Sequence, residues 1–340
     1  MNNILSEILS EKEIVLADGA TGTNLFNMGL KAGDAPELLN TSNPKTIRTL
    51  YESAVNAGSD LFLTNTFGAN GARLKLHNAQ KRVHELNRVG AELGRDIVDQ
   101  MGHKVIVAGS VGPTGELMKP LGDLTHSLAV EIFHEQVDGL QQGGADIIWL
   151  ETISAQEEFL AAAEAFALAN APWVGTMSFD TAGRTMMGLT PKDMIKMIDN
   201  LANRPTAYGA NCGVGSSDLL RTILSFKEHD NDSPLVAKGN AGIPKFICEK
   251  IIYDGTPDLM ADYADLARNA GARIIGGCCG TGQEHLKKMR ESIDTRPKGH
   301  PPSLEEIAAK LGAFSSTSDA GKKETAKATP GRRKGRKRRT

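Results

Sequence analysis

The sequence predicts an α/β protein, a (β/α)8 TIM barrel with a disordered basic C-terminal tail. Two observations carry the barrel. Eight short apolar, β-branched runs recur along the 340 residues, and segments with helical spacing lie between them. A third observation concerns chemistry: each run is followed by small, polar or sulfur-bearing residues. In a barrel those strand ends share one face, where active sites sit.

The runs are "EIVLA" (13–17), "DLFLT" (60–64), "KVIVAG" (104–109), "ADIIWL" (145–150), "PWVGTMS" (172–178), "TAYGAN" (206–211), "PLVAKG" (234–239) and "ARIIGG" (272–277). Most are continuous rather than alternating, as strands buried on both faces are. Between the first two, "PKTIRTLYESAVNAG" puts Ile47, Leu50, Tyr51, Ala54 and Val55 on one helical stripe and stops at Gly58. "THSLAVEIFHEQVDGLQQGG" starts at a threonine cap and ends at paired glycines. "TPDLMADYADLARNAGA" repeats the pattern with one glycine. The barrel is expected over residues 1–294, a short extension with one helix over 295–314, and the disordered tail over 315–340.

Composition sets the class. The chain is 40% hydrophobic and 24% charged, ordinary for a globular protein with a large core. Thirty-six glycines point to tight turns or close backbone approach. Residues 321–340 hold ten Lys/Arg and one acid, which leaves the rest of the chain at a net charge of −11. "MNNILSEILSEKEIVLADG" has no basic n-region and no continuous apolar segment, so no secretory signal is expected. No apolar run approaches the roughly 20 residues that span a bilayer. Four cysteines in so long a chain do not make a disulfide scaffold, and a reducing cytoplasm is the expected compartment.

Three of those cysteines carry the strongest signal. Cys212 follows the sixth run in "GANCGVG"; Cys278 and Cys279 follow the eighth in "GGCCGTG". On a barrel the two places converge at one mouth. Adjacent residues of a regular strand point to opposite sides, so both thiols of the pair face one ion only if the backbone leaves strand geometry. Gly276, Gly277 and Gly280 are expected to give that freedom. Three thiolates suit Zn2+ and leave the fourth tetrahedral position open, the pattern of a catalytic site. A soft site of this kind favours a thiol ligand, which loses its proton there and can be alkylated. Cys248, in "KFICEK", has no such setting and is expected to be a bystander.

"DGATGTNL", "NTFGAN", "GANCG" and "GGCCGT", in this order on a (β/α)8 pattern, resemble the homocysteine S-methyltransferase family. The likeness covers residues 12–293. "ADGATGTNLF", "VAGSVGPTGEL", "SFDTAGRTMMGL" and "GTPDLMADYA" look most like the bacterial betaine–homocysteine S-methyltransferases. The resemblance implies Zn2+ on Cys212, Cys278 and Cys279, homocysteine as acceptor, and methionine and dimethylglycine as products from glycine betaine. It also implies that Asp18 and Glu151 hold the amino acid. Carboxylates give an α-ammonium charge-assisted hydrogen bonds, and the turn at Gly19 and Ala20 can offer N–H groups to the α-carboxylate.

One departure bears on the donor. The animal betaine-using relatives line the donor site with aromatics where this chain has Gly68 and Thr152, and they place a tryptophan before "PE" (36–37) that is missing here. An aromatic cage is the best holder of a quaternary ammonium. Phe67, Phe179, Phe26 and Trp173 are the candidate stand-ins. The alternative donors are S-methylmethionine, another sulfonium, or a methyl-corrinoid or methyltetrahydrofolate supplied through a partner protein.

Other features are weighed as follows. "DGATGTNL" is neither GxGxxG nor a Walker loop, so no nucleotide site is expected. The eight histidines show no ligand spacing. Asn65 and Asn211 serve either as substrate contacts or as strand-end ties, and Met186 and Met187 are expected to pack. The tail "GRRKGRKRRT" has charge for nucleic acid but no interleaved aromatics to stack bases. It is expected to be a solvated extension, with no nucleic-acid or membrane partner; a homo-oligomer is left open. A barrel with a structural zinc and a nucleic-acid-docking tail is the rival of a different class.

Overall fold

The computed structural model describes residues 3–316 apart from Thr181, Asn231, Pro244, Cys248 and Glu249. The eight expected runs each overlap a strand of one parallel sheet. The strands are β1 (Val15–Leu16), β2 (Leu61–Leu63), β3 (Ile106–Val111), β4 (Ile147–Ile153), β5 (Trp173–Met177), β6 (Ala207–Cys212), β7 (Leu235–Gly239) and β10 (Ala272–Gly277). Their spatial order is β1-β10-β7-β6-β5-β4-β3-β2, a nearly closed barrel with helices between successive strands. The two remaining strands, β8 (Lys245–Ile247) and β9 (Lys250–Ile252), form an antiparallel hairpin after β7 that the sequence pattern does not announce.

The seam between β1 and β2 is closed largely by carboxylates. Asp60 N–H donates to the Leu16 carbonyl at 2.7 Å, and the Leu16 N–H donates back to Asp60 Oδ2 at 2.7 Å. One turn nearer the mouth, Leu63 N–H donates to Asp18 Oδ2 at 2.9 Å. Asp18 therefore does at the seam what a backbone carbonyl does elsewhere in the ladder.

The helices follow the sequence stripe. Helix Pro44–Asn56 buries Ile47, Leu50, Tyr51, Ala54 and Val55, the five residues of its predicted face. Thr125 and Thr256 cap helices His126–Gln142 and Pro257–Asn269 through their side chains. In the extension, helix Leu304–Leu311 buries Ile307 and Leu311. Of the expected tail, residues 317–340 lie outside the described residues, as does Cys248. Ser315 and Ser316 are placed: the Ser315 N–H donates to Asp218, and the Ser316 carbonyl accepts from Arg221. Among the described residues no helix is long and apolar enough to cross a membrane.

The barrel interior is filled by Val15, Ala17, Leu61, Leu63, Ile106, Ala108, Ile147, Trp149, Val174, Ala207, Val236 and Ile274. The same cluster contains Leu5, Ile8 and Leu9 of helix Ile4–Glu11, which plugs the N-terminal end. Arg273 ties this plug down by donating to the carbonyls of Leu9, Lys12 and Glu13. We expect Leu5→Ala, at a fully buried position, to lower stability by about 2–5 kcal/mol. Denaturant unfolding would read this as a lower midpoint at unchanged slope.

Candidate functional site

The three cysteines converge at the C-terminal end of the barrel. Cys212 ends β6, and Cys278 and Cys279 follow β10; all are free thiols, partly exposed, with sulfurs within 4.8 Å of one another. Two local distortions bring them together. Cys212 has φ 61°, a left-handed conformation uncommon for a residue other than glycine. Beyond β10 the chain turns through Cys279 to Gly280, whose φ is 82°. Gly280 thus has the freedom expected of it. Gly276 and Gly277 serve a different need, which is space. A Cβ on Gly277 would lie 2.2 Å from Thr281 Oγ1, and one on Gly276 would lie 2.8 Å from the Ala17 Cβ.

Asn240, just beyond β7, clamps the two cysteine turns. Its Nδ2 donates to the Gly213 carbonyl at 2.8 Å, and its Oδ1 accepts from the Cys279 N–H at 3.0 Å. Cys278 N–H donates to the Gly239 carbonyl at 2.7 Å, and Ala241 N–H donates to the Cys279 carbonyl at 2.9 Å. Tyr253 lies against Gly280 beside the cysteine turn, and its nearness helps to hold the Cys279 thiol down.

The crowding shows in the acidities. Hydrogen bonds from Cys212 and Cys278 hold the Cys279 thiol down at about 3. Hydrogen bonds to both neighbours, with desolvation of its sulfur, push the Cys278 thiol well above its ordinary value. Cys212 gains from its bond with Cys278, but its bond to Cys279 and burial outweigh this and push it up to about 12. One sulfur ionises readily and two do not, because the protons kept on Cys212 and Cys278 are held in hydrogen bonds that stabilise the Cys279 thiolate. A bound cation would reverse that. The donor set, three thiols around one point with no carboxylate or imidazole among them, fits zinc.

Two carboxylates border the same mouth. Glu151 lies where the register between β4 and β5 shifts, and Thr152 beside it has φ 63°. Such a bulge re-aims a side chain. Asn211 holds the bulge, accepting from the Thr152 N–H at 2.9 Å and donating to Thr152 Oγ1 at 2.8 Å. Glu151 Oε1 accepts from Ser110 Oγ at 2.5 Å. Burial pushes the Glu151 carboxyl up to about 7, against the opposing pull of Lys238 and Ser110.

Asp18 is 6% exposed and already engaged: besides the Leu63 bond, its Oδ1 accepts from Lys238 Nζ at 2.5 Å. Burial pushes its carboxyl up and the lysine charge pulls it back. In the adjoining turn, the Ala20 N–H is taken by the Thr281 carbonyl at 3.0 Å.

Lys238, Asn240, Ser110 and Tyr253 are the residues that sequence reasoning missed. The signal for Lys238 was a charge inside the apolar run "PLVAKG". Asn65 is a structural tie, buried and donating to the Pro36 carbonyl and Asn40 Oδ1, both at 2.8 Å. Met186 and Met187, expected to pack, are 74% and 42% exposed because they lie on the loop after β5.

The proposed stand-ins for an aromatic cage separate. Trp173 and Phe179 are core, and Phe26 is half exposed on helix Gly22–Asn27. Phe67 is partly exposed at the exit of β2, with the Arg73 guanidinium 5.8 Å from its ring centroid. Gly68 has no room for an aromatic: a Cβ there would lie 2.8 Å from the Glu37 carboxylate, which accepts the Gly68 N–H.

Comparison with known proteins agrees with this fold. The metallated form of the Escherichia coli homocysteine methyltransferase MmuM has a similar fold, with TM-score 0.70 at 24% identity, covering 84% of this chain and 99% of that one. Its oxidised form gives TM-score 0.71 at 25% identity over 85% and 99%. The methionine synthases of Mycobacterium tuberculosis and Mycobacterium leprae are 27% and 26% identical over 305 residues. Those matches cover 85% of this chain but only 25% of either synthase, so the chain spans about a quarter of the length of these relatives. The profile of the homocysteine S-methyltransferase family matches residues 15–293, and the chain belongs to that family.

Proposed function

We propose that this protein transfers a methyl group from glycine betaine to homocysteine, with zinc held by Cys212, Cys278 and Cys279. The observation that carries this reading is the meeting of three thiols within 4.8 Å at the barrel end that also presents Glu151 and Asp18. Zinc bound there would supply the Lewis acidity that keeps an incoming thiol deprotonated at neutral pH.

The chain's own residues do the rest. Glu151 and the free lone pairs of Asp18 accept hydrogen bonds from the α-ammonium. The Gly19 N–H offers a donor to the α-carboxylate. With the amino acid held at that end, its sulfur points to the cysteines. The sulfur attacks one methyl carbon of betaine in line. The S–C bond forms, the C–N bond breaks, and the electron pair leaves on nitrogen, giving methionine and dimethylglycine. The thiol proton goes to solvent, and no general base is needed. Phe67 is the aromatic wall offered to the quaternary ammonium. Free thiols and a metal site of this kind suit a reducing cytoplasm.

The test is methionine formation, read by mass spectrometry, from homocysteine and methyl-deuterated betaine with zinc-loaded protein. Labelled methionine is expected. Cys279→Ala should cut it by about 10³-fold or more, the several kcal/mol a Lewis acid supplies, and should lower the zinc content. No label from protein that holds zinc would move the donor to a sulfonium or to a methyl-corrinoid on a partner. The crowding of Gly68 by Glu37 favours that second reading. In steady-state assays, Phe67→Leu should raise the betaine KM roughly fivefold or more and leave the homocysteine KM alone.

A further inference from the structure

The geometry points to Lys238 as the positioning residue that sets the charge and aim of the carboxylates receiving the substrate ammonium. This rests on the homocysteine reading above and goes beyond it. Lys238 lies on β7, pointing inward, 2% exposed. Its Nζ is 2.5 Å from Asp18 Oδ1 and 5.5 Å from the centroid of the Trp149 ring. Its stem runs against β10, where a Cβ on Gly276 would lie 3.2 Å from the Lys238 Cγ. The side chain therefore crosses from β7, over β10, to the seam strand's Asp18.

Burying an ammonium in this place is costly, because the interior below it is aliphatic apart from Trp149. A lysine that served only to balance Asp18 would need no other partner. The Lys238 ammonium stands between the Trp149 ring and Asp18 at the mouth, and its charge also favours the ionised form of Glu151. The charges explain why. Burial leaves the Glu151 carboxyl titrating near neutrality, and a bound ammonium favours its ionised form, so Asp18 and Glu151 then present two negative charges to one cation. Lys238 neutralises one, so the mouth offers a single net negative charge to a single cation. It also fixes the Asp18 carboxylate from one side while the Leu63 N–H holds it from the other. The lone pairs left over then have one direction.

Without Lys238, Asp18 loses the donor that aims it, and two like charges face each other across the mouth. The loss should be felt by ligands that carry an ammonium and not by those that lack one. Calorimetric titration of the zinc-loaded full chain with homocysteine and with 4-mercaptobutanoate, its des-amino analogue, separates the two. Lys238→Met should weaken homocysteine at least tenfold and the analogue less than twofold, at unchanged zinc content. Removing one partner of a buried pair risks unfolding, so Asp18→Asn/Lys238→Met, which removes both charges, is the second variant. It should bind homocysteine no more weakly than Asp18→Asn alone. Equal losses for both thiols, no loss for either, or losses that add in the double variant would overturn the role of Lys238. Wild-type protein that binds neither thiol would overturn the homocysteine reading itself, and this role with it.

Discussion

Three sulfurs held within 4.8 Å of each other are the constraint around which the mouth of this barrel is built. Three thiolates at that spacing cannot be present together without a cation, so the cluster keeps protons on two of its sulfurs unless it binds one. The protein accepts local cost to keep it. Cys212 is held in a left-handed conformation, and the strain persists because the surroundings determine it. Asn240 joins the turns of Cys212 and Cys279 with a single side chain. Three strand ends, those of β6, β7 and β10, are thus tied together by one side chain, which is the support a metal site of fixed geometry needs.

The same economy appears at the seam. Asp18 completes the hydrogen bonding between β1 and β2, pairs with Lys238, and still borders the barrel mouth. Under the proposed function, barrel closure and substrate binding share one carboxylate. On the far side of the mouth, Asn211 links the end of β6 to Thr152 in the bulge of β4. The position of Glu151 and the strained backbone of Cys212 are coupled through two adjacent residues. On the proposed reading, acceptor and metal sites are parts of one framework, whereas Phe67, Gly68 and Glu37 form a separate construction.

Much of this was legible in the sequence, for physical reasons. Strands buried on both faces must be continuously apolar, so "EIVLA" through "ARIIGG" stand out, and barrel topology then brings Cys212 to Cys278 and Cys279. What stayed hidden depends on contacts between distant residues. Lys238 sits inside an apolar run, and nothing local says that Asp18 waits opposite. Asn240 reads as a turn residue until the two loops it joins are seen together. The glycines before the cysteine pair looked like sources of backbone freedom, yet Gly276 and Gly277 are required by the close approach of Ala17 and Thr281. Helix Ile4–Glu11 carried a readable stripe of Leu5, Ile8 and Leu9, but its role as a plug is a tertiary fact.

The central claim is that the three cysteines form a metal site with one position kept for a substrate thiol. X-ray absorption at the zinc edge tests it directly, on reconstituted protein before and after addition of homocysteine. The account predicts three sulfur ligands at rest and four with homocysteine. Fewer than three sulfurs at rest, or a sulfur count that homocysteine leaves unchanged, would contradict it.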